Sequence, residues 1–132
     1  MSQENVELTR RVLGAFNRAD LDAYVALMDE DVEVVPRMVG RLGQTVRGHE
    51  GIRRWWKDLF EVVPDLTVEV GEVRDFGDVT LVRTTYGRHG ASSEAPIATT
   101  NWLSLRWRAG KCVFWISKPT EDEALEAVGL RE

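Results

Sequence analysis

The chain has 132 residues, of which 43% are hydrophobic and 30% charged. This is the composition of one globular domain with a single core, rather than of a disordered segment or a disulfide scaffold. Its 22 acidic and 17 basic residues give a formal net charge of -5, which offers no overall attraction to nucleic acid phosphates or to anionic membrane.

From residue 3 to residue 19 the apolar positions Leu8, Val12, Leu13, Ala15, Phe16 and Ala19 share one half of a helical wheel, opposite Glu7, Arg10, Arg11, Asn17 and Arg18. An amphipathic helix is predicted there. The first residues, Met1 to Arg11, are polar, and no apolar run reaches the roughly 20 residues that span a bilayer. No membrane association and a cytoplasmic location are the expectations. Asp20 then stands as an N-cap before Leu21, Tyr24, Val25 and Met28, spaced for a second, shorter helix.

Val32 to Val35 read as a short strand ended by Pro36. The stretch from Arg37 to Arg47, with Gly40 and Gly43, reads as an irregular loop suited to cover a pocket mouth, with Arg37, Arg41 and Arg47 solvating it. A third helix is predicted over His49 to Val63, its apolar face carrying Ile52, Trp55, Trp56, Leu59, Phe60, Val62 and Val63, and Pro64 ends it.

Leu66 to Lys118 has strand character throughout, broken by turn signals at Phe76-Gly77-Asp78, Gly87 to Ser93 and Arg108 to Lys111. Four strands joined by short turns imply an antiparallel meander. Gly71 marks a bulge that bends the first long strand and turns Val73 to the side of Val68 and Val70. Thr120-Glu121-Asp122-Glu123 is a capping box that opens a last helix, and Gly129 is placed to end it. Helices followed by a run of strands make the fold class α+β, a curved antiparallel sheet with N-terminal helices packed on its concave face, in one domain over residues 1–132.

Residue chemistry narrows the function classes. Cys112 is the sole cysteine, so no intrachain disulfide forms, and its strand neighbours Val113 and Phe114 suggest a buried, inert thiol. With two histidines and scattered acids no metal site is expected, and no cofactor either, since there is no phosphate-binding glycine loop or zinc-binding helix motif. Five candidate pocket residues stand out: Asn101, Tyr24, His49, Trp56 and Arg83. Asn101 shares a strand face with Leu103 and Leu105, so its amide is either satisfied by backbone or water or addresses a ligand. Tyr24, on the buried stripe of the second helix, is a core tyrosine or a pocket donor. His49 opens the third helix near Trp56, as a structural group or as a neutral base. Arg83 shares the side of Val79 and Leu81, to clamp an anion or to pair with a neighbour such as Glu72. Trp102, Trp107 and Trp115 suit a dimer face as readily as a pocket wall.

The phrases Ala15-Phe16-Asn17-Arg18-Ala19-Asp20-Leu21-Asp22, Val46-Arg47-Gly48-His49-Glu50-Gly51-Ile52-Arg53, Ala109-Gly110-Lys111 and Glu123 to Leu130 make the chain resemble the SnoaL-like branch of the nuclear transport factor 2-like superfamily. That resemblance implies a cone whose wide end opens on a small-molecule cavity and a homodimer formed through the outer face of the sheet. It spans isomerases, cyclases, hydrolases, dehydratases and non-catalytic binding proteins, so it implies either cofactor-free acid/base chemistry on a mostly apolar substrate or a binding or dimerisation module. Carried over from ketosteroid isomerase, the first-helix tyrosine falls on Val12, the carboxylate base on Pro36 and the second acid at or beside Asn101.

Overall fold

In the computed structural model, which describes residues 2–37, 45–88 and 99–130, the chain opens with helix α1 (Ser2–Asn17). Its apolar stripe of Leu8, Val12, Leu13, Ala15 and Phe16 is buried. Asn17 then ties the end of α1 to the sheet, donating to the Val68 carbonyl at 2.9 Å and accepting from the Val68 N–H at 2.8 Å. Asp20 caps helix α2 (Leu21–Ala26) by accepting from the Ala23 N–H, as its position in the sequence indicates.

The sheet has six strands: β1 (Met28–Val35), β2 (Val46–Arg47), β3 (Leu66–Asp75), β4 (Val79–Arg88), β5 (Thr99–Arg108) and β6 (Lys111–Lys118). Their order is β2-β1-β6-β5-β4-β3. The meander from β3 to β6 is antiparallel throughout. The expectation of a wholly antiparallel sheet fails at one seam, because β1 lies parallel to β6. The α1–α2 hairpin delivers β1 to the free edge of β6, and the Cys112 N–H donates to the Leu27 carbonyl there at 2.9 Å. β1 also begins at Met28, earlier than Val32, since the acids Asp29, Glu30 and Asp31 hide a strand in the sequence pattern. Part of the expected loop is strand too: β2 pairs antiparallel with β1 and leads into helix α3 (Gly48–Val62). Residues 38–44 of that loop, Arg41 among them, and residues 89–93 of the Gly87 to Ser93 turn lie outside the described residues.

The bend at Gly71 is present as a register shift between Val70 and Val73 in the β3–β4 pairing. A Cβ on Gly71 would stand 3.0 Å from the Arg83 carbonyl oxygen, so any side chain there would push the two strands apart. Val70 and Val73 both pack on the core with Val68. A second shift between Arg106 and Trp107 turns Cys112 inward beside Trp107. The β5–β6 turn places Ala109 and Gly110 at φ 52 and 79, the backbone of a tight hairpin.

Helices α1, α2 and α3 cover the inner, concave face. Helix α4 (Glu121–Ala127), capped by Thr120 and followed by Gly129 at φ 81, lies on the opposite face. There Leu81, Ala124 and Leu125 form a second small core with Phe76, Trp102 and Leu130 packed against it. Burying each such aliphatic side chain contributes roughly 1.5–3 kcal/mol. Among the described residues the one exposed large hydrophobic is Val62. No helix among them is long and apolar enough to cross a membrane.

Candidate functional site

The inner face of the sheet is set by strand parity. Val79 and Leu81 turn outward, so Thr80, Val82, Thr84 and Tyr86 of β4 face the helices. Opposite them on β5 stand Asn101, Leu103, Leu105 and Trp107, and on β6 Cys112, Trp115 and Ser117. Between this face and the helices lies a cavity of about 30 Å³ walled by Val12, Leu13 and Phe16 of α1, Tyr24 of α2, Trp55 of α3, Val68 of β3, and Thr84, Tyr86, Leu103, Leu105 and Trp115. A space of that size holds about one water molecule, so a larger occupant has to shift the walls.

At the end of the sheet where β1, β4 and β6 finish and β5 begins, the apolar wall gives way to polar groups. Asn101 is 1% exposed. Its Oδ1 accepts from the Arg37 guanidinium, while its Nδ2 has no partner among the described residues. The neighbouring Thr84 hydroxyl donates weakly to the Asn101 carbonyl, at 3.5 Å. Ser117, cross-strand from Leu103, is equally buried, and its Oγ likewise closes no hydrogen bond of normal geometry among the described residues, although the Tyr86 phenol lies beside it. Tyr86 lies beside both: burial pushes its phenol up to about 12, against smaller opposing effects of the Arg37 charge and the Ser117 hydroxyl. Deeper in the cavity Trp55 and Trp115 meet edge to face at 5.7 Å, and neither indole N–H has a partner among the described residues. Tyr24 stands against them, its phenol raised well above its usual value, above all by burial and against a smaller opposing effect of the Trp115 indole, which faces it without closing a hydrogen bond of normal geometry.

The five sequence-selected residues are not gathered in one place. Tyr24 lines the cavity, and Asn101 flanks it on the same sheet face. Trp56 is buried on the core side of α3 but packs against Phe16, Tyr24 and Phe60 at 5.3, 4.9 and 5.1 Å, and its neighbour Trp55 supplies the wall. His49 donates through Nε2–H to the Met28 carbonyl at 2.9 Å, which fastens the start of α3 to β1 away from the cavity. Arg83 does share the side of Val79 and Leu81, as its spacing requires, but that side is the outer one, and Arg83 is exposed.

Arg37 corrects the reading of the loop cations as merely solvated. Arg47 does stay outside, paired with Glu33, but Arg37 turns in to Asn101 past the break made by Pro36. The three strand tryptophans also divide: Trp115 walls the cavity, Trp107 donates to Thr80 Oγ1 at 3.0 Å deeper in the same face, and Trp102 lies on the outer face beside α4. Cys112 is buried, its thiol held at about 12 by desolvation, which keeps it from acting as a nucleophile. Among the described residues no group of three or more metal-ligating side chains comes together.

The arrangement is an apolar cavity furnished with hydrogen-bond donors and one cation. It can hold an oxygen acceptor and stabilise negative charge on it. Among the described residues no carboxylate or histidine stands in its walls.

Comparison with known proteins places this architecture. In a solved structure of TerC crystallised with polyporic acid, 22% identical, the match covers 89% of this chain and 92% of that one with a TM-score of 0.76. An NTF2-like protein of unknown function from Burkholderia pseudomallei K96243, 18% identical, matches over 96% of this chain and 98% of its own, with a TM-score of 0.76. A protein of ketosteroid isomerase-like fold from Catenulispora acidiphila DSM 44928, in complex with trimethylamine, is 21% identical over 94% and 93% of the two chains, with a TM-score of 0.73. These likenesses establish a shared fold. Among curated proteins nothing matches. The sequence profile of the SnoaL-like domain matches residues 9–115, and the chain belongs to that family.

Proposed function

We propose that the chain is a small-molecule pocket protein, which takes a mostly apolar molecule bearing a polar oxygen between α1, α3 and the inner face of the sheet and needs no cofactor to do so. The observation that carries this reading is Asn101, an amide enclosed on an apolar strand face with its Nδ2 unpartnered among the described residues. A buried donor without a partner costs roughly 1–3 kcal/mol, and a ligand acceptor would offset that cost. TerC, of the same fold, has been crystallised with an organic ligand.

If the pocket turns its ligand over, the chemistry is cofactor-free isomerisation, cyclisation or hydration. The part these residues play is then to polarise a carbonyl or stabilise an enolate by donation from Asn101, Tyr86 and Tyr24. The second reading, a binding module without turnover, is favoured by the lack of a carboxylate or histidine among the described residues of the cavity walls. A panel of apolar carbonyl and epoxide compounds tests both, followed by tryptophan fluorescence and by chromatography of the products. Saturable quenching is expected, and it should vanish in Leu105→Trp, which fills the cavity. Quenching by no compound, or quenching that survives Leu105→Trp, overturns the pocket. Turnover that falls at least about tenfold in Asn101→Leu or Tyr24→Phe decides for the enzyme, and binding without turnover decides for the module.

A further inference from the structure

Four buried side-chain atoms have no hydrogen-bond partner among the described residues: Trp55 Nε1, Asn101 Nδ2, Trp115 Nε1 and Ser117 Oγ. Three of them can only donate, and the fourth, a hydroxyl, can donate as well as accept. All four belong to the inner face or to the helix that closes it, two in the cavity wall and two at its Arg37 end. The nearest side-chain acceptor of the amide type, Asn101 Oδ1, is already taken by Arg37. Ser117 and Trp115 lie beside the Tyr86 and Tyr24 phenols, but no hydrogen bond of normal geometry closes there, so the site has donors to spare, and a cation whose side-chain partner among the described residues is a neutral amide, with no acidic partner among them. Tyr24 and Tyr86 add to the same balance, since their enclosure keeps both phenols protonated at neutral pH.

Such a surface is complementary to an anion, and it discriminates. A ligand ammonium would meet the Arg37 charge and a set of N–H groups of the wrong sign, with only neutral hydroxyl oxygens to accept from it. A carboxylate or an enolate would meet a charge-assisted donor flanked by neutral ones, the arrangement in which hydrogen bonds are shortest and strongest. The apolar walls of Phe16, Leu103 and Leu105 suit the remainder of the molecule. We infer that the ligand is a small organic oxyanion, its acidic oxygens seated on Arg37, Asn101 and Ser117, its apolar body lying along Leu103 and Leu105, and the indole N–H groups of Trp55 and Trp115 available to a further acceptor on its far end.

This rests on the pocket reading above, and its test separates the two. The probes are 3-phenylpropanoate, its methyl ester and 3-phenylpropylammonium, which share one apolar body and differ in charge. Each is titrated into the ¹⁵N-labelled protein while the indole N–H signals are followed, with those of Trp55 and Trp115 assigned from Trp55→Phe and Trp115→Phe. The carboxylate is expected to bind at least about tenfold more tightly than the ester, with the ammonium weakest and with the Trp55 and Trp115 signals moving. Arg37→Gln keeps a donor for Asn101 Oδ1 and removes the charge, so it should bring the carboxylate down to the ester's affinity and leave the ester unchanged. Arg37→Lys, which keeps the charge, should retain most of the preference. An ester or ammonium that binds as tightly as the carboxylate overturns the inference, as does a preference that survives Arg37→Gln. Failure of all three probes, ester included, to move the Trp55 and Trp115 signals overturns the pocket itself.

Discussion

The two ends of the inner sheet face treat buried polar groups in opposite ways. At the end near the β3–β4 turn, Trp107 Nε1–H donates to Thr80 Oγ1 at 3.0 Å. The Thr80 and Thr9 hydroxyls are 2.7 Å apart, and Thr9 Oγ1 donates to the Asn5 carbonyl at 2.8 Å. Since the Thr9 proton is committed to Asn5, the Thr80 hydroxyl donates to Thr9, and every side-chain donor in the relay has an acceptor. At the opposite end Asn101 and Ser117, equally buried, leave Nδ2 and Oγ unmatched among the described residues. Burial of a polar group is the same cost in both places, and only one end recovers it inside the protein. The closed relay explains how α1 is fixed to β4 and β5; the unmatched end is where a ligand has something to add.

The largest effect expected on this balance is alkaline. Cys112 beside Trp107 and Tyr86 beside Asn101 have ordinary values of 9.0 and 10.0, and both are pushed by burial to about 12, with Tyr24 raised as well. Between those ordinary values and about pH 12 the folded chain holds protons that the unfolded chain has released. The unfolding free energy therefore falls as pH rises through that window and is insensitive to these three groups below it. Each unit of such a difference is worth about 1.4 kcal/mol, so together the groups outweigh any single hydrogen bond. Urea midpoints should decline from about pH 9 upward, with the onset moved higher by Cys112→Ala. The chain has two tyrosines, both enclosed, so tyrosinate absorbance should appear only as the fold is lost. Absorbance that rises while the protein remains folded would mean that the cavity end is open to hydroxide, and would locate the opening.

A smaller effect is expected from the relay. Thr80→Val is close to isosteric, and it strands the buried Trp107 Nε1, at a cost of about 1–3 kcal/mol in chemical denaturation. Because the relay lies away from Arg37, binding of an anionic probe should be unchanged in this variant. A loss of probe affinity as large as the loss of stability would show that the two ends are coupled rather than distinct.

The elements of the fold were legible because each carries local chemistry: the period of Leu8 to Phe16, the cap at Asp20, the bulge at Gly71, the capping box at Thr120. The parallel seam between β1 and β6 was not, since strand direction at an edge depends on where the α1–α2 hairpin delivers the chain. Asn101 was found because one amide among leucines is conspicuous at strand period, and Tyr24 because it sits on a helical stripe. Arg83 was placed on the right side of its strand, but which side is inward depends on α4. That helix buries Leu81 from outside, so β4 is apolar on both faces and its alternation does not name the inner one. Tyr86 and Ser117 were missed for the same reason. Arg37 carried no signal at all: it follows Pro36, where strand parity is broken, and only the folded chain brings it to a residue 64 positions away.

The smallest effect separates the two ends most directly. Ser117→Ala deletes a hydroxyl that has no partner among the described residues, so the usual loss on removing a buried hydrogen-bonding group is not expected. Stability should stay level or rise by up to about 1 kcal/mol, the sign opposite to Thr80→Val, although both residues are enclosed on one sheet face. The same change should weaken the carboxylate probe severalfold, because it removes one of the donors proposed to meet the anion. A protein made more stable and a worse binder by one substitution is the signature of a group retained for its ligand. If Ser117→Ala instead destabilises as Thr80→Val does and leaves the probe's affinity untouched, Ser117 is a structural hydroxyl, and the oxyanion seat narrows to Arg37 and Asn101.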